Sequence, residues 1–551
     1  MKAVRGFLTP GRVDTSIATV PGGTRRGGPL SDTRPVAVMI LAAGAGTRMK
    51  SSTPKVLHEI GGRSLVHHAL VASAALDPQR TVVVVRHERD LVAAHIHSVA
   101  PDALIADQDD VPGTGRAVFC GLSALDTTAI AAAVAGGAVG DHAVLDSQAN
   151  GAVVVTSGDV PLVDGALLQA LVQAHQSAGN AATVLTAQVK TPRGYGRIVR
   201  DADGSVWGIV EEKDASEEQR AIAEINAGIY VFDAATLRDS LTKVGQDNAQ
   251  GEVYLTDVLA LAREAGGRVG AMIAPDASAV EGVNDRIHLA GAAAALNRRI
   301  VEGWMRAGVT IQDPATTWID SDVTLAPDVT ILPGTQLKGT TAIATGAVIG
   351  PDTTLTDVEV GEGATVIRSH GSLAVIAAGA NVGPFSYLRP GTKLGAGGKI
   401  GAFVETKNAK IGANSKVPHL SYVGDATVGE GTNIGAATIF VNYDGVAKHH
   451  THVGNHVRIG SDNTLIAPLT IGDGAYSGAG TTIRHDVPSG ALAINSSPQQ
   501  NIEGWVERRR PGTPSADAAA RAAEADGANH GLSSGAQEER ASAAADTKGE
   551  E

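Results

Sequence analysis

A glycine-rich loop with two nearby cations is the first stretch of the sequence whose residue types could do chemistry. Gly44 and Gly46 carry no Cβ, so their backbone amides can approach a phosphate closely. Arg48 and Lys55 add two positive charges just downstream. The loop lacks the Walker A pattern, because no lysine follows a second glycine, and it lacks the third glycine of the dinucleotide fingerprint, since Met49 stands there. These residues predict a nucleoside triphosphate site of another type.

An apolar strand must position this loop. The run 36–41 is apolar and ends where the glycines begin, and open α/β sheets bind their ligands at the carboxyl edge of such strands. Strands and helices alternate over 36–286, which predicts an α/β, Rossmann-like domain with a mostly parallel sheet. The Ala/Gly-rich run 127–151 has no periodicity, and we interpret it as a surface insertion. A helical pattern follows, and we predict a helical linker over 287–307.

A six-residue period replaces the α/β pattern beyond the linker. Aliphatic residues recur at this spacing, and glycine often follows them: Val382, Leu388, Leu394 and Ile400, then Val453, Ile459, Leu465, Ile471 and Ile483. A hexapeptide period predicts a parallel β-helix, here over 308–500, in which each coil stacks on the last. Slips in the period at 423–428 and 439–453 predict loops that leave the coil.

Composition excludes several classes of protein. A formal charge of −13 argues against a nucleic-acid partner, and no stretch is long and apolar enough to predict a membrane partner. One cysteine, Cys120, excludes a disulfide framework and fits a reducing cytoplasm. Residues 1–35 and 501–551 lack the composition of a core, so they predict a disordered extension and a largely disordered tail.

The glycine loop resembles the signature of sugar-nucleotide pyrophosphorylases, L-A-A-G-x-G-T-R-M…P-K-x-L. Further motifs follow in the same order: Gln108, Gly113-Thr114-Gly115, Ser157-Gly158-Asp159-Val160-Pro161, Gly194-Tyr195-Gly196-Arg197, Glu211, Glu224-Ile225-Asn226-Ala227-Gly228 and Glu281-Gly282-Val283-Asn284. With the hexapeptide domain included, the chain resembles the family of bifunctional N-acetylglucosamine-1-phosphate uridylyltransferases and glucosamine-1-phosphate N-acetyltransferases. The resemblance runs from Val36 to about Trp505.

The resemblance implies two reactions that together make UDP-N-acetylglucosamine. Acetyl-CoA acetylates glucosamine-1-phosphate, and the product then attacks the α-phosphorus of UTP in a Mg²⁺-dependent step that releases pyrophosphate. Arg48 and Lys55 would act as catalytic charge clamps, and Asp159 and Asn284 would hold Mg²⁺. The implied UTP and UDP-N-acetylglucosamine site comprises Leu41, Ala42, Ala43, Gly44, Lys55, Gln108, Gly113, Thr114, Ser157, Gly158, Asp159, Gly196, Glu211, Asn226 and Asn284.

The β-helix carries the second implied site. His419 would be the general base that takes a proton from the substrate ammonium. The residues expected around the sugar phosphate and acetyl-CoA are Arg389, Lys407, Tyr422, Asn433, Ala436, Asn442, Tyr443, Ser461, Ala479 and Ser496. Glu405 and Asp462 could orient the base or bind a partner chain. At Ser496 the family often has an arginine on the CoA phosphates, so another cation would replace it, with Arg508–Arg510 as candidates.

The family also implies an assembly and a setting. Its β-helix is left-handed, three chains form a homotrimer with acetyltransferase sites between neighbours, and the product feeds peptidoglycan and lipopolysaccharide-type precursors in the cytoplasm. One rival is a monofunctional sugar-nucleotide pyrophosphorylase whose β-helix is structural or regulatory. Another is a catalytically inactive scaffold that binds nucleotides.

Overall fold

The computed structural model describes residues 34–135, 150–495 and 499–525. Predictions for residues 1–33, 136–149 and 526–551, and the role assigned to Ser496, lie outside the described residues. Within these residues no helix has both the length and the apolar character needed to cross a membrane. The predicted class is confirmed: an α/β domain precedes a long run of parallel strands.

The first domain is built on a nine-stranded sheet, with helices on both faces. Its strands, with a separate hairpin of β2 and β3, are β1 (Ala37–Leu41), β2 (Glu59–Ile60), β3 (Arg63–Ser64), β4 (Thr81–Val85), β5 (Leu104–Asp107), β6 (Ala152–Ser157), β7 (Ala182–Gln188), β8 (Arg197–Arg200), β9 (Val206–Val210), β10 (Glu224–Asp233) and β11 (Val269–Ile273). Its helices are α1 (Leu65–Ala74), α2 (Arg89–Val99), α3 (Thr114–Ala135), α4 (Gly165–Ala178), α5 (Glu217–Arg220), α6 (Ala234–Leu241) and α7 (Asp257–Glu264), and short 3₁₀ turns lie at Thr47–Met49, Lys55–Leu57 and Ala277–Val280.

The sheet is mostly parallel, and its strand order places the glycine loop centrally. The main path runs β11-β7-β10-β6-β1-β4-β5, and β1 pairs in parallel with both β4 and β6. β10 is antiparallel to β6 and β7. The apolar residues of β1, β4 and β6 are almost wholly buried, because helices cover both faces of the sheet. The carboxyl ends of these three strands therefore meet at one edge.

Part of the predicted insertion is helical. α3 continues to Ala135, so residues 127–135 extend a helix that begins at Thr114. Their many alanines have high helix propensity, which outweighs the missing amphipathic pattern. The linker helix α8 spans Arg286–Arg306, and the Asp285 side chain caps it by accepting hydrogen bonds from the amides of Ile287 and His288, each at 2.9 Å.

The second domain consists of short strands stacked in coils. They are β12 (Thr310–Ile311), β13 (Trp318–Ile319), β14 (Thr324–Leu325), β15 (Thr330–Ile331), β16 (Gln336–Lys338), β17 (Ala342–Ile343), β18 (Val348–Ile349), β19 (Thr354–Thr356), β20 (Glu359–Val360), β21 (Thr365–Val366), β22 (His370–Ser372), β23 (Val375–Ile376), β24 (Asn381–Val382), β25 (Tyr387–Leu388), β26 (Lys393–Leu394), β27 (Lys399–Ala402), β28 (Glu405–Ile411), β29 (Lys416–His419), β30 (Tyr422–Val428), β31 (Asn433–Ile434), β32 (Ile439–Val441), β33 (Thr451–Val453), β34 (Arg458–Ile459), β35 (Thr464–Ile466), β36 (Leu469–Ile471), β37 (Tyr476–Ser477), β38 (Thr482–Ile483) and β39 (Leu492–Ala493).

One inward-facing aliphatic residue per strand forms the core of this domain. Along one sheet Ile349 pairs with Val366, Val366 with Val382, and Val382 with Ile400, always in parallel. The next coil adds Val417, and these residues are buried. Each coil buries its apolar residues only against its neighbours, so the stack forms one continuous core.

The two slips in the six-residue period have different structures. Residues 442–450 do leave the coil, between β32 and β33. The loop predicted at 423–428 is wrong, because these residues belong to the seven-residue strand β30, which pairs with β28 along most of its length. Asp425 has a φ of 46°, and this left-handed residue turns the corner within the strand. A five-residue spacing is therefore absorbed without a loop.

The two domains make direct contact. The β2–β3 hairpin touches the first coil through an ion pair between Arg63 and Asp322, and the Ser321 amide donates to the Gly61 carbonyl at 2.9 Å. The buried Asn297 of α8 donates to the carbonyl of Thr317 at 2.7 Å. Beyond the coils, α9 spans Trp505–Arg509 and residues 514–525 are helical, although the composition of this tail predicted disorder.

Candidate active sites

The glycine loop after β1 brings a lysine close to the carboxyl edge of the sheet. Gly46 has a φ of 61°, and a β-carbon on it would lie 2.5 Å from Cβ of Lys55. Glycine is therefore needed at this position for both conformation and space. At Gly44 a β-carbon would meet nothing within 4 Å, so that side of the loop faces the open cleft.

Lys55 and Asp159 form an ion pair at this edge. The Lys55 ammonium contacts the Asp159 carboxylate, and their side chains are only 14% and 17% exposed. The Ser157 hydroxyl donates to the other carboxylate oxygen of Asp159 at 2.6 Å. The loop after β6 thus holds a carboxylate against the lysine that the loop after β1 supplies, because the carboxyl ends of the two neighbouring strands meet at one edge of the sheet.

Arg48 and Asn284 form a second pair beside the first. Arg48 Nη2 donates to Asn284 Oδ1 at 2.8 Å. A β-carbon built on Gly282 would lie 4.0 Å from both Asn284 Nδ2 and Asp159 Oδ1, which shows that these two side chains converge. The backbone also joins their loops, because the Val283 amide donates to the Asp159 carbonyl at 2.9 Å.

These side chains suit a divalent ion that is shared with a ligand. The described residues contain no cluster of three or more His, Cys, Asp or Glu side chains able to hold a metal alone. Asp159 and Asn284 would supply two oxygens, leaving the remaining positions to phosphate oxygens and water. Mg²⁺ is commonly held in this way, by one or two protein oxygens together with a nucleotide.

A cleft of about 860 Å³ extends from these pairs across the sheet edge. The predicted residues that line it are Leu41, Ala42, Ala43, Gly44, Lys55, Gln108, Gly113, Thr114, Ser157, Asp159, Glu211 and Asn226. Four predicted residues do not line it: Arg48, Gly158, Gly196 and Asn284. Of these, Arg48 and Asn284 bond each other near Asp159, and a β-carbon on Gly196 would lie 3.3 Å from Oε1 of the lining residue Glu211.

Gln108 shapes the loop at one side of the cleft. Its amide nitrogen donates to the carbonyls of Val111 at 3.0 Å and Gly113 at 3.3 Å. Gly113 has a φ of 119°, and a β-carbon there would lie 2.3 Å from the Val253 carbonyl oxygen. Thr114 accepts a hydrogen bond from the Leu255 amide at 3.2 Å. This loop is therefore fixed against the segment that precedes α7.

The opposite side of the cleft carries polar groups suited to a sugar. The Asn226 amide donates to the Gly196 carbonyl at 2.9 Å, and Asn226 Nδ2 donates to the Tyr230 hydroxyl at 2.7 Å. Burial raises the pKa of Glu211, and the nearby Asp214 adds to the shift. This wall therefore combines a fixed amide with a carboxyl group that holds its proton more strongly than usual.

Several cleft residues were missed from the sequence. Arg86, His87 and Glu88 follow β4 directly, and Tyr230 lies on β10. The first three occupy the same carboxyl edge as the glycine loop, so the rule that located that loop could have found them. Glu252 gave no recognisable signal, because its segment reaches the cleft only through tertiary packing.

Consecutive coils bring the second set of residues together on one face. Register pairs Tyr387 with Glu405, Glu405 with Tyr422, and Tyr422 with Ile439. Arg389 Nη1 donates to Glu405 Oε1 at 2.8 Å, and this contact raises the pKa of Arg389. Glu405, whose role the sequence left open, therefore pairs with the cation expected to bind phosphate.

A second lysine that the sequence did not single out lies beside Lys407. Lys448, from the 442–450 loop, approaches so closely that it lowers the pKa of Lys407. Neighbouring ammonium groups repel each other, so an anion bound beside both would be stabilised. The protruding loop therefore completes a cationic patch on the coil.

The same loop carries Asn442 and Tyr443. Asn442 Nδ2 donates to Asp425 Oδ2 at 2.5 Å and lies 3.4 Å from the Tyr422 hydroxyl oxygen. Tyr443 is 55% exposed, and its hydroxyl donates to the Gly445 carbonyl at 2.7 Å. Asn442 is thus held on the coil, whereas Tyr443 projects from it.

His419 ends β29 and is exposed at a corner of the coil. Its carbonyl oxygen accepts the Ser421 hydroxyl at 2.7 Å and the Ala437 amide at 3.2 Å. Leu420 follows with a φ of 49°, which turns the chain onto the face that carries Tyr422. His419 and the face that carries Tyr422 therefore meet at one corner.

The residues expected along acetyl-CoA stack on later coils at this corner. The Asp462 amide donates to the Ala436 carbonyl at 2.7 Å, and the Gly480 amide donates to the Ser461 carbonyl at 2.9 Å. Ser461 and Ala479 are exposed. Asn433 begins β31, on the face before the corner. These residues form a column that starts beside His419.

Comparisons with known proteins agree with both domains. Residues 38–202 match the family model of the MobA-like NTP transferase domain. A protein of Kineococcus radiotolerans named "Bifunctional protein GlmU" is 62% identical over 488 residues, which cover 89% of this chain and 95% of that protein. Proteins of the same name from Pseudarthrobacter chlorophenolicus and Rhodococcus jostii are 60% and 58% identical, over 89% and 88% of this chain and 96% and 95% of their own lengths.

Proposed function

The chain belongs to the family of bifunctional GlmU proteins, and from this membership we propose roles for its residues in two reactions. It is a transferase that makes UDP-N-acetylglucosamine, a precursor for peptidoglycan, through acetyl transfer and then uridylyl transfer. Nucleotidyl transfer in such a domain generally depends on a metal, and we assign Mg²⁺ here. The observation that carries the first assignment is the convergence of Lys55 with Asp159 and of Arg48 with Asn284.

In uridylyl transfer the protein aligns two anions and neutralises their charge. A phosphate oxygen of N-acetylglucosamine-1-phosphate attacks the α-phosphorus of UTP, and the bond to pyrophosphate breaks. Lys55 and Arg48 bind phosphate oxygens as charge increases on the leaving group. When bound by Asp159 and Asn284, Mg²⁺ supplies further charge neutralisation. Because Lys55 contacts Asp159 beforehand, the lysine is held in the cleft before nucleotide binds.

The remaining cleft residues select the two substrates. The loop of Gln108, Gly113 and Thr114 binds uracil through backbone and side-chain hydrogen bonds. Asn226 and Glu211 face the amino sugar, with Gly196 leaving space for it. In this arrangement the reacting phosphates lie between the two sides of the cleft, beside Lys55.

In acetyl transfer His419 acts as the general base. It takes a proton from the ammonium group of glucosamine-1-phosphate, and the amine attacks the thioester carbonyl of acetyl-CoA. A backbone amide stabilises the oxyanion, the C–S bond breaks to release CoA as a thiolate, and the thiolate takes the second proton that the nitrogen loses as the amide forms. Arg389, Lys407 and Tyr422 bind the sugar phosphate, and the column of Ala436, Ser461 and Ala479 follows the acetyl-CoA chain.

We further propose a left-handed coil and a homotrimer that works in the cytoplasm. A column of large apolar side chains supports the assembly: Phe385, Phe403 and Leu420 are 53%, 58% and 59% exposed on successive coils, and the two rings stack at 5.3 Å. Exposed apolar columns of this kind favour burial against another chain. Light scattering should give three times the chain mass, and a monomeric mass would contradict this assembly.

A coupled assay tests the function itself. Purified protein is given glucosamine-1-phosphate, acetyl-CoA and UTP, and the acetylated sugar phosphate and UDP-sugar are both followed. We expect the acetylated intermediate to precede the nucleotide sugar. A monofunctional pyrophosphorylase would make UDP-N-acetylglucosamine only when N-acetylglucosamine-1-phosphate is supplied, and an inactive scaffold would make neither product.

A further inference from the structure

Asp425 occupies the corner within β30 where the six-residue period slips. Its left-handed backbone turns its side chain toward two asparagines on neighbouring coils. Oδ1 accepts a hydrogen bond from Asn408 Nδ2 at 2.8 Å, and Oδ2 accepts one from Asn442 Nδ2 at 2.5 Å. Each carboxylate oxygen therefore holds one side-chain amide.

These contacts fix the orientation of Asn442. Its amide nitrogen has two hydrogens, and the structure provides two acceptors, the Asp425 carboxylate and the Tyr422 hydroxyl at 3.4 Å. With the nitrogen directed to these groups, the carbonyl oxygen Oδ1 points away from them. Asn442 is thereby presented as a hydrogen-bond acceptor, although it lies on a loop that leaves the coil.

The surroundings keep the Asp425 carboxylate charged. Burial alone would raise its pKa, but its hydrogen bonds to Asn408 and Asn442 and the nearby Lys407 and Lys448 lower the pKa below its usual value. The negative charge also lies close to two lysines that repel each other. A single carboxylate thus anchors the loop and offsets charge in the cationic patch.

We propose that Asp425 is a positioning residue for acetyl transfer, holding Asn442 so that its carbonyl oxygen accepts an N–H group of a substrate at the reacting end. The inference rests on the proposed acetyltransferase site and adds a residue to it. The N–H group belongs either to the amine of glucosamine-1-phosphate or to an amide of the acetyl-CoA arm. Because the two substrates are varied separately, the change in KM identifies which one Asn442 contacts.

The test removes the carboxylate without straining the corner. Glycine accepts a φ of 46°, so Asp425→Gly deletes the side chain at a position where alanine would be strained. We expect kcat/KM for acetyl transfer to fall about tenfold or more, because this is the effect of losing one hydrogen bond to a charged group. Uridylyl transfer by the same protein should keep its wild-type rate.

Asn408→Gly is the matched control. Asn408 has a φ of 44° and bonds the other carboxylate oxygen, so this variant loses a corner side chain but keeps the Asp425–Asn442 contact. Its kcat/KM for acetyl transfer should stay within about twofold of the wild-type value, because substitutions outside an active site usually have small effects. In an Asn442→Ala background, Asp425→Gly should cause a smaller loss than in the wild-type protein, because the group it positions is gone and only its charge beside Lys407 and Lys448 is removed.

Three results would overturn the inference: undiminished acetyl transfer in Asp425→Gly, equal losses in the two glycine variants, or additive losses with Asn442→Ala. Thermal unfolding by circular dichroism shows whether each variant is folded. If Asp425→Gly unfolds, Asp425→Asn carries the test, since asparagine tolerates this φ but offers only one acceptor oxygen. A wild-type protein without acetyl transfer would instead refute the proposed function, which separates the two failures.

Discussion

Among single residues, Lys55 is the one on which the proposed mechanism of uridylyl transfer depends most. It contacts Asp159 in a part-buried pair and also lies close to the glycine loop. Removing the ammonium group leaves the Asp159 carboxylate without its cation and, in the proposed mechanism, the phosphates without a charge clamp. The role of Lys55 is therefore distinct from that of an exposed lysine.

Lys55→Ala should lower the rate of uridylyl transfer about a hundredfold or more, the size expected when a preorganised charge is removed from a reacting centre. Acetyl transfer should be unchanged. Lys243→Ala is the control, because Lys243 pairs with Asp239 at 2.6 Å in an exposed turn just after α6 and its loss should leave both rates unaltered. Equal uridylyl rates in Lys55→Ala and wild type would exclude the clamp. The rates are measured by pyrophosphate release.

The buried His175 should make the free energy of unfolding of the first domain depend on pH. Burial lowers its pKa from the ordinary value of 6.5, with Asp233 opposing the shift, and its ring bonds the Thr183 hydroxyl at 3.0 Å. The unfolded chain then binds more protons than the folded one, so the free energy of unfolding falls as pH drops below 6.5 through the lower folded pKa. Above 6.5 this contribution is fully present.

His175→Gln should reduce the slope of unfolding free energy against pH on the acid side of the ordinary histidine pKa of 6.5, because the group whose pKa is lowered on folding is gone. Denaturant titrations at several pH values measure it. His97→Gln, an exposed position on α2, is the control and should keep the wild-type slope. A wild-type slope in His175→Gln would mean that other groups cause the acid sensitivity.

Residue identities in the first site were largely predictable, because short motifs at strand ends carry them. Asp159 and Lys55 were both assigned to this site from their motifs, whereas the ion pair between them was not predicted. Lys448 and Asp425 were not found. Each of these residues acts through a contact with a residue on another coil. The six-residue period does not predict which loop contacts which corner of the coil.

At the scale of elements, the loop between β1 and the first 3₁₀ turn sets the position of the lysine. Gly46 has a φ of 61°, and a β-carbon added to it would lie only 2.5 Å from Cβ of Lys55, so there is no space for a side chain. A larger residue would move the loop, the lysine or both. Small displacements at a reacting centre lower rates strongly.

Gly46→Ala should therefore lower kcat/KM for uridylyl transfer about tenfold or more through misplacement of Lys55. Gly291→Ala is the control: Gly291 lies inside α8 with nothing within 4 Å of a β-carbon, so alanine should leave activity unchanged and stabilise the helix slightly. Steady-state kinetics and thermal unfolding measure the two effects. Wild-type kinetics in Gly46→Ala would show that the loop tolerates the clash.

Periodicity predicted the elements well where it was regular. The coil positions of Val382, Leu388, Leu394 and Ile400 follow the six-residue period, and all four are buried. The prediction failed at 423–428, where a left-handed residue inside β30 absorbs the shortened spacing. Single residues of positive φ other than glycine leave no signal in a hydrophobic pattern, so a slip alone does not distinguish a corner from a loop.

At the scale of the whole molecule, the two sites lie on different folds that touch through the β2–β3 hairpin, α8 and the first coil. The hairpin follows the Lys55 turn directly, and α8 begins two residues after Asn284. Both elements contact residues 317–322. The first coil therefore supports the segments that carry the uridylyl site, while the acetyl site lies many coils away.

One chain is proposed to carry two separate active sites, and two variants, one at each site, tell the two activities apart. Asp159→Ala and His419→Ala are each given glucosamine-1-phosphate, acetyl-CoA and UTP, and both products are quantified. Asp159→Ala should accumulate N-acetylglucosamine-1-phosphate, His419→Ala should use only supplied N-acetylglucosamine-1-phosphate, and a mixture of the two should restore UDP-N-acetylglucosamine. Undiminished acetylation by His419→Ala, normal uridylyl transfer by Asp159→Ala, or loss of both activities from either substitution would contradict the account.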